Sequence, residues 1–251
     1  MAIIHQQKHA GKRYQIRTAG ASIRLYTNGV LHSQFNPNRR STGSVWDLLV
    51  APALLLPSTQ LQRILLLGVA GGVVIHMLNE IAETPEFTGI ELDPIHLSLG
   101  RRFFGLDLPN VELIAQDARH WVQTCSGPPF DLIVDDMFAD CDHVARRAVC
   151  CDRSWMQQLL PLLSEHGILV GNFADLSEFR NSAFADTPPG SAQKPHLVSM
   201  RLDTLENVVA ARSLHPLVPA QIKQRIAVYF GNRMASRVDI RSVKSKRPRV
   251  R

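Results

Sequence analysis

The stretch "RILLLGVAGGVVIHMLNEI", residues 63–81, decides the fold expectation. It begins with a run of branched apolar residues, which is typical of a fully buried strand. A glycine-containing turn, residues 68–72, then leads into a segment whose apolar residues fall on one helical face. A strand, a glycine turn and a helix in this order favour the first unit of a doubly wound α/β sheet.

The segments after this unit repeat the alternation of strand and helix. Four further short apolar runs are interpreted as strands: "FTGIEL", "VELIAQ", "FDLIV" and "GILVGNF". Helical patterns lie between them, and this predicts a parallel sheet with helices on both faces. "HLVSMRL" and "ENVVAARS" are interpreted as a closing antiparallel pair. In such sheets ligands bind beyond the carboxyl ends of the strands, which is where a site is expected.

The segment ahead of the α/β region has a different pattern. "SIRLYTNGVLHSQF" alternates apolar and polar residues around Asn28-Gly29, a strong signal for a β-hairpin. We therefore expect a small N-terminal β element at residues 1–45 and a Rossmann-like nucleoside-binding domain at residues 46–233. Residues 234–251 are expected to form a basic, disordered tail.

The net charge of +6 belongs to that tail. Residues 241–251 contain six Lys or Arg and no acid, so the rest of the chain is formally neutral. A nucleic-acid partner is therefore expected only through the tail. No apolar run is long enough for a membrane span, and the first residues have no secretory pattern, so we expect a cytoplasmic protein without membrane contact. Neither the four cysteines nor the ten histidines have a metal-ligand spacing, and no metal is expected.

The glycine turn excludes some ligands and keeps others. It lacks the Lys-Ser/Thr ending of a phosphate-binding P-loop. Ala70 and Val73 occupy the second and third glycine positions of the dinucleotide fingerprint, which disfavours a dinucleotide. Small residues at the start of a helix still allow a ligand to approach the backbone. The alternative is a tight turn that binds nothing.

Acidic residues after the next two strands favour a nucleoside. Glu91 lies about twenty residues beyond the turn, where a carboxylate can accept the hydroxyls of a ribose. Asp117 follows the third strand and is placed to accept an adenine amine, although it is equally a candidate helix N-cap. Acids without a phosphate motif indicate adenosine carrying something other than phosphates, such as S-adenosylmethionine.

Taken together, "ILLLGVAGG", "GIELDPIHLSLGRRFF", "VELIAQDARHWV", "FDLIVDDMF" and "GILVGNF" resemble the spermidine synthase-like family in order and spacing. The resemblance covers roughly residues 20–212. It implies a Rossmann-like, seven-stranded class I methyltransferase fold that takes S-adenosylmethionine or its decarboxylated form. The nucleoside-binding residues that it implies are Gly68, Ala70, Gly71, Gly72, Glu91, Asp117 and Ala118.

The same resemblance identifies candidate catalytic residues. It aligns Asp136 with the family's catalytic aspartate, and the adjacent Asp135 remains a candidate because a slip of one position is open. A primary amine has a pKa of about 10, so about one in a thousand is neutral at pH 7, and a carboxylate can take its proton during transfer. Asp140, Asn172 and Asp175 are expected on the side of a cationic amine substrate.

Departures from the family pattern leave the reaction open. The family's turn resembles "GGGDGG", whereas this chain has "GVAGG" without the acid that would pair with the donor's amine. The substrate loop resembles "DSSDP" in the family and is "DDMFA" here. An aminopropyltransferase, a methyltransferase and a non-catalytic nucleoside-binding protein therefore stay as alternatives. Family members commonly form dimers, which makes the N-terminal hairpin a candidate contact in a homodimer.

Overall fold

The computed structural model describes residues 1–141, 144–188, 190–191 and 193–246. Its first part is an antiparallel sheet of four strands in sequence order: β1 (Ala2–His9), β2 (Lys12–Ala19), β3 (Ser22–Thr27) and β4 (Val30–Phe35). The turn between β3 and β4 is the predicted one. Asn28 and Gly29 have positive φ angles of 50° and 90°, which a two-residue turn between twisted strands requires.

A second, mostly parallel sheet forms the body of the protein. Its strands are β5 (Arg63–Leu67), β6 (Glu86–Glu91), β7 (Val111–Ala115), β8 (Phe130–Asp135), β11 (Leu163–Phe173), β12 (His196–Leu202), β13 (Val208–Ser213) and β14 (Val238–Val243). Their order is β14-β12-β13-β11-β8-β5-β6-β7. The strands from β11 to β7 run parallel, and β13 pairs antiparallel with both β11 and β12. A short hairpin, β9 (Phe138–Cys141) and β10 (Val144–Arg147), follows β8.

The helices are α1 (Val45–Val50), α2 (Val73–Asn79), α3 (Pro94–Phe104), α4 (Ala118–Thr124), α5 (Arg153–Leu159), α6 (Leu176–Asn181), α7 (Pro219–Phe230) and α8 (Asn232–Arg237). Four of them begin at an aspartate whose carboxylate accepts a backbone N–H of the first turn: Asp93, Asp117, Asp152 and Asp175. Helix α5 ends at Leu159, two residues before Pro161, whose ring cannot continue a helix.

Apolar side chains cover both faces of the large sheet. Along β5, Ile64 and Leu66 join the core that packs with α1, α2 and α7, while Leu65 and Leu67 join the core with α4 and α5. Such a strand is continuously hydrophobic because it is buried on both faces. The small sheet packs on α3 through a third cluster that includes Tyr14, Ile16, Leu25, Leu99 and Phe104.

The structure differs from the expected C-terminal part in two details. The large sheet has eight strands and not seven, because Val238–Val243 pairs antiparallel with β12 at the sheet edge. The first part of the expected disordered tail is helix and strand through Val243. Val238 and Ile240 alternate with Asp239 and Arg241, a strand pattern that the basic composition concealed. Residues 247–251 lie outside the described residues.

Candidate functional site

A cleft of about 1180 Å³ lies beyond the carboxyl ends of the parallel strands. Ligand pockets commonly span about 300–1,000 Å³, so this cleft has room for a nucleoside together with a second small molecule. The small sheet and the β9–β10 hairpin contribute parts of its wall, including Lys12, Tyr14, Phe138 and Arg146. Most of the residues predicted from the sequence line it: Gly68, Ala70, Glu91, Asp117, Ala118, Asp136, Asn172 and Asp175.

Sheet topology brings the glycine turn and Asp136 together. Leu67 pairs with Asp135, so the next residues, Gly68 and Asp136, follow neighbouring strands at the point where the strand order reverses. The backbone N–H of Asp136 donates to the carbonyl of Leu67 at 2.9 Å. A Cβ on Gly68, which has a φ of +89°, would clash with the carbonyl oxygen of Asp136. Gly68 therefore permits close packing of two protein segments.

Gly71 and Gly72 lie outside the lining of the cleft. A Cβ on Gly71 would stand 2.8 Å from the Cβ of Ser33 in β4, and one on Gly72 would clash with Leu106. Gly72 also has a positive φ of 76°. The sequence attributed these glycines to the approach of a ligand, but their positions are explained by the approach of other protein side chains.

Glu91 holds the glycine turn in shape. Its Oε2 accepts the backbone N–H groups of Val69 (3.0 Å) and Ala70 (2.8 Å), and its Oε1 accepts that of Asp93 (2.9 Å). Burial alone would raise the pKa of Glu91, but His96 and the backbone amides outweigh it and leave the pKa lowered. Glu91 is therefore ionised, and one further acceptor position remains on Oε1.

Asp117 is the N-cap of α4, one of the two roles that the sequence left open. It accepts the backbone N–H of Arg119 at 2.9 Å and pairs with the Arg119 guanidinium at 2.6 Å. The hydrogen bond from that guanidinium is the main reason why the pKa of Asp117 is lowered. The side chain is 35% exposed and lines the cleft, so contact with an adenine stays a prediction.

Asp136 is the carboxylate at the floor of the cleft. The side-chain amide of Asn172 donates to its Oδ1 at 2.8 Å, and the amide of Asn207 donates to Asn172 at 3.1 Å. Burial raises the pKa of Asp136 from 3.8 to about 7, with Asp135 and Glu91 adding to the rise and Asn172 and Arg147 opposing it. A carboxylate with this pKa is suited to exchange a proton near neutral pH.

Asp135, the other catalytic candidate, is placed behind the cleft and does not line it. Its carboxylate forms an ion pair with Arg147 and accepts the indole N–H of Trp155 at 2.8 Å. The side chains of Asp135 and Arg147 are 3% and 2% exposed. Arg147 also donates to the carbonyl of Asn172 at 2.7 Å. Asp135 thus supports the strand ends that carry Asp136 and Asn172.

Of the two acids expected near the substrate, the structure describes Asp175 fully and only the backbone of Asp140. Asp175 is exposed at the start of α6, where its carboxylate accepts the backbone N–H of Glu178 at 2.8 Å. The backbone of Asp140 lies in β9, but its side chain, like all of Asp142, lies outside the described residues. Several residues of the cleft were not predicted, among them Tyr14, Thr27, His96 and Arg147, because they come from separate elements that no local motif connects.

Within the described ranges, no three His, Cys, Asp or Glu side chains are arranged to hold a metal ion. None of the helices in that part of the chain combines the length and the apolar character needed to cross a bilayer.

The raised pKa of Asp136 predicts a pH-dependent cost to stability. Between about pH 4 and pH 7 the folded protein binds more protons at Asp136 than the unfolded chain does, so this group lowers stability as the pH rises. Asp136→Asn removes that loss. The difference in unfolding free energy, variant minus wild type, should therefore be larger at about pH 8 than at about pH 4. Allowing for solvent in the cleft, we expect this increase to be about 1–2 kcal/mol. Urea unfolding at both pH values measures it, and a difference independent of pH would contradict the raised pKa.

The chain is similar in sequence to curated polyamine aminopropyltransferases. No family model matches the sequence. Polyamine aminopropyltransferase 2 of Caldanaerobacter subterraneus subsp. tengcongensis is 27% identical over 143 residues, which are 55% of this chain and 47% of that protein. The polyamine aminopropyltransferase of Mycobacterium tuberculosis H37Rv is 28% identical over 143 residues, 54% of this chain and 26% of that protein. The match therefore spans about half the length of the first relative and about a quarter of the second.

Solved structures agree with the fold. A probable spermidine synthase from Corynebacterium glutamicum superposes with a TM-score of 0.76 at 13% identity, over 100% of this chain and 98% of that chain. Human methyltransferase-like protein 13, in complex with SAH, superposes with a TM-score of 0.57 at 16% identity, over 76% of this chain and 91% of that chain. The predicted Rossmann-like class I methyltransferase fold with a small N-terminal sheet is confirmed.

Proposed function

This chain is spermidine synthase-like in sequence and fold, and from that premise we propose that it transfers an aminopropyl group from decarboxylated S-adenosylmethionine to a cationic amine. The observation that carries the proposal is the placement of Asp136. This carboxylate faces the cleft beside the glycine turn, is oriented by Asn172, and has a pKa raised by burial to about 7.

The hydrogen-bond acceptors and apolar side chains on one side of the cleft suit an adenosyl group. Glu91 has an acceptor position left on Oε1 for a ribose hydroxyl. Asp117 offers carboxylate oxygens for an exocyclic amine, and Val69 and Ile90 offer apolar surface for a base. Acceptors for hydroxyls and an amine beside an apolar wall are what binding of a nucleoside requires.

The proposed step uses Asp136 as the proton acceptor. The lone pair of the neutral amine attacks the methylene carbon of the aminopropyl group that is bonded to the sulfonium sulfur, and a new C–N bond forms. The C–S bond breaks, its electron pair neutralises the sulfur, and methylthioadenosine leaves. The proton lost by the attacking nitrogen passes to Asp136. Because Asn172 occupies Oδ1, we assign Oδ2 to the amine.

Charges elsewhere in the cleft suit a cationic acceptor. Asp175, Glu178 and Glu206 line it on the side of β11 and β13, away from the glycine turn. Carboxylates grouped on one wall attract ammonium groups and align them before transfer. They support a substrate with a second positive charge beyond its reacting nitrogen.

Methyl transfer from S-adenosylmethionine is the second candidate, and a specific observation favours it. The glycine turn has no acid for the amine of a decarboxylated donor. Arg146 of β10 lines the cleft, and a guanidinium there is a partner for the carboxylate of an intact methionine moiety.

Separate calorimetric titrations of the protein with methylthioadenosine and with S-adenosylhomocysteine distinguish the two candidates, since these compounds are the by-products of the two transfers. We expect methylthioadenosine to bind at least about tenfold more tightly, because a carboxylate gains little in an acidic cleft. Tighter S-adenosylhomocysteine, with a loss on Arg146→Met, would assign methyl transfer. Binding of neither compound would contradict both candidates.

A further inference from the structure

His96, on α3, links the small sheet to the carboxylate at the end of β6. Its ring is buried, with 6% of the residue exposed, and it lines the cleft. Nε2 lies 2.7 Å from the hydroxyl of Thr27 in β3, and Nδ1 lies 3.6 Å from Oε1 of Glu91. One imidazole therefore faces two groups from different parts of the fold.

The oxygen that His96 faces is the one that the glycine turn leaves available. Both acceptor positions of Oε2 of Glu91 are taken by backbone N–H groups of Val69 and Ala70. Oε1 accepts one N–H, that of Asp93, and its distance from Nδ1 exceeds that of an ordinary hydrogen bond. The direction of Oε1 therefore determines whether Glu91 can accept a ribose hydroxyl.

The ring can direct a proton toward that oxygen. If the hydroxyl of Thr27 donates to Nε2, the ring carries a proton on Nδ1, which faces Glu91. A histidine tautomer is commonly set by the partner of its other nitrogen in this way. Thr27, with 2% of the residue exposed, is as deeply buried as His96, so the contact between them is largely shielded from solvent.

Three other contacts attach the small sheet to the same loops. The hydroxyl of Ser33 in β4 accepts the backbone N–H of Gly71 at 2.8 Å. The hydroxyl of Tyr14 in β2 donates to Asp93 at 2.7 Å, and Lys12 pairs with the same carboxylate at 3.1 Å. Three strands of the small sheet thus contact the segments that surround Glu91.

We propose that His96 is a positioning residue that directs Oε1 of Glu91 toward a ribose hydroxyl. Through its contact with Thr27, it also couples nucleoside binding to the packing of the small sheet. The inference rests on the proposed function, because it presupposes a nucleoside in the cleft. His96 acts through Glu91 and takes no part in the transfer of the proton.

The test uses two ligands: methylthioadenosine and the analogue that lacks both ribose hydroxyls. His96→Val removes both ring nitrogens, whereas His96→Asn keeps an amide donor near the position of Nδ1 and His96→Gln keeps one near Nε2. We expect methylthioadenosine to bind about 10-fold more weakly to the Val and Gln variants and within about 3-fold of wild type to the Asn variant. The analogue should bind all four proteins alike.

The matched control is His76→Val. His76, on α2, is another partly buried histidine, and its Nε2 contacts the carbonyl of Phe104 at 2.7 Å without lining the cleft. This change is expected to lower stability and leave both affinities unchanged. If His96→Val does not fold, Thr27→Val is used in its place, because this change removes only the hydroxyl that contacts Nε2. We expect Thr27→Val to weaken the binding of methylthioadenosine about 3-fold.

The outcomes distinguish this inference from the proposed function. Wild-type protein that binds neither ligand overturns both. Wild-type binding of methylthioadenosine, with equal losses for the two ligands in His96→Val or recovery in His96→Gln, overturns only the role of His96. Unchanged affinity in Thr27→Val overturns the coupling to the small sheet.

Discussion

Asp136→Asn is expected to lower kcat by a factor of about 10²–10⁴ while the affinity for methylthioadenosine stays within about twofold of wild type. The amide has nearly the shape of the carboxylate, and its oxygen can still accept the Asn172 amide that now lies 2.8 Å from Oδ1. Under the proposed function, what the variant would lose is the proton acceptor for the attacking amine. Release of methylthioadenosine with a panel of diamines and polyamines measures kcat, and calorimetry measures the affinity.

The pH profile gives a second readout of the same group. Because Asp136 must be ionised to accept a proton and its pKa is about 7, wild-type kcat should rise through that pH and level off above it. The control is Asp175→Asn, which alters an exposed carboxylate of the same cleft and should change KM more than kcat. Full turnover by Asp136→Asn would refute the assignment of Asp136.

Arg147→Met is expected to reduce the free energy of unfolding by about 3–5 kcal/mol, because it leaves the Asp135 carboxylate buried without its charged partner. The two side chains are 2% and 3% exposed, so the Asp135 carboxylate has little access to solvent. The variant also loses the hydrogen bond from Arg147 to the Asn172 carbonyl. Denaturant unfolding near neutral pH measures the loss.

A double variant separates the ion pair from simple packing. Asp135→Asn together with Arg147→Met removes both charges, and we expect it to be more stable than Arg147→Met alone. Arg241→Met is the control, since it breaks an exposed pair with Asp239 and should change stability by less than about 1 kcal/mol. Strictly additive losses in the double variant would show that the buried pair has no such role.

The ion pair also affects the chemistry of the site. The positive charge of Arg147 opposes the rise in the pKa of Asp136. Without that charge the pKa of Asp136 should rise further, and the pH profile of any activity in Arg147→Met should shift to higher pH. The buried pair therefore stabilises the strand ends and adjusts the proton acceptor beside them.

The sequence by itself determined the elements whose signal is local. Apolar runs identified β5 to β8 and β11, and the run is most continuous in β5 because that strand is buried on both faces. Asn28-Gly29 identified the hairpin turn, because two successive residues there require a positive φ. Glu91, Asp117 and Asp136 were found because each lies at the carboxyl end of a strand or within two residues of it, and the carboxyl ends of parallel strands share one edge.

Only the tertiary structure decided which of two adjacent aspartates faces the cleft. A strand buried on both faces has no alternation to distinguish Asp135 from Asp136, so the choice depended on Arg147 and Trp155 packing behind the sheet. The link between Thr27 and His96 joins residues 69 positions apart and leaves no pattern in either segment. Strand β14 is a short segment directly ahead of the basic residues that led us to expect a tail, and its pairing with β12 is a contact between distant parts of the chain. Local periodicity records which residues are buried within one element, whereas the contacts that complete this site form only when distant elements pack together.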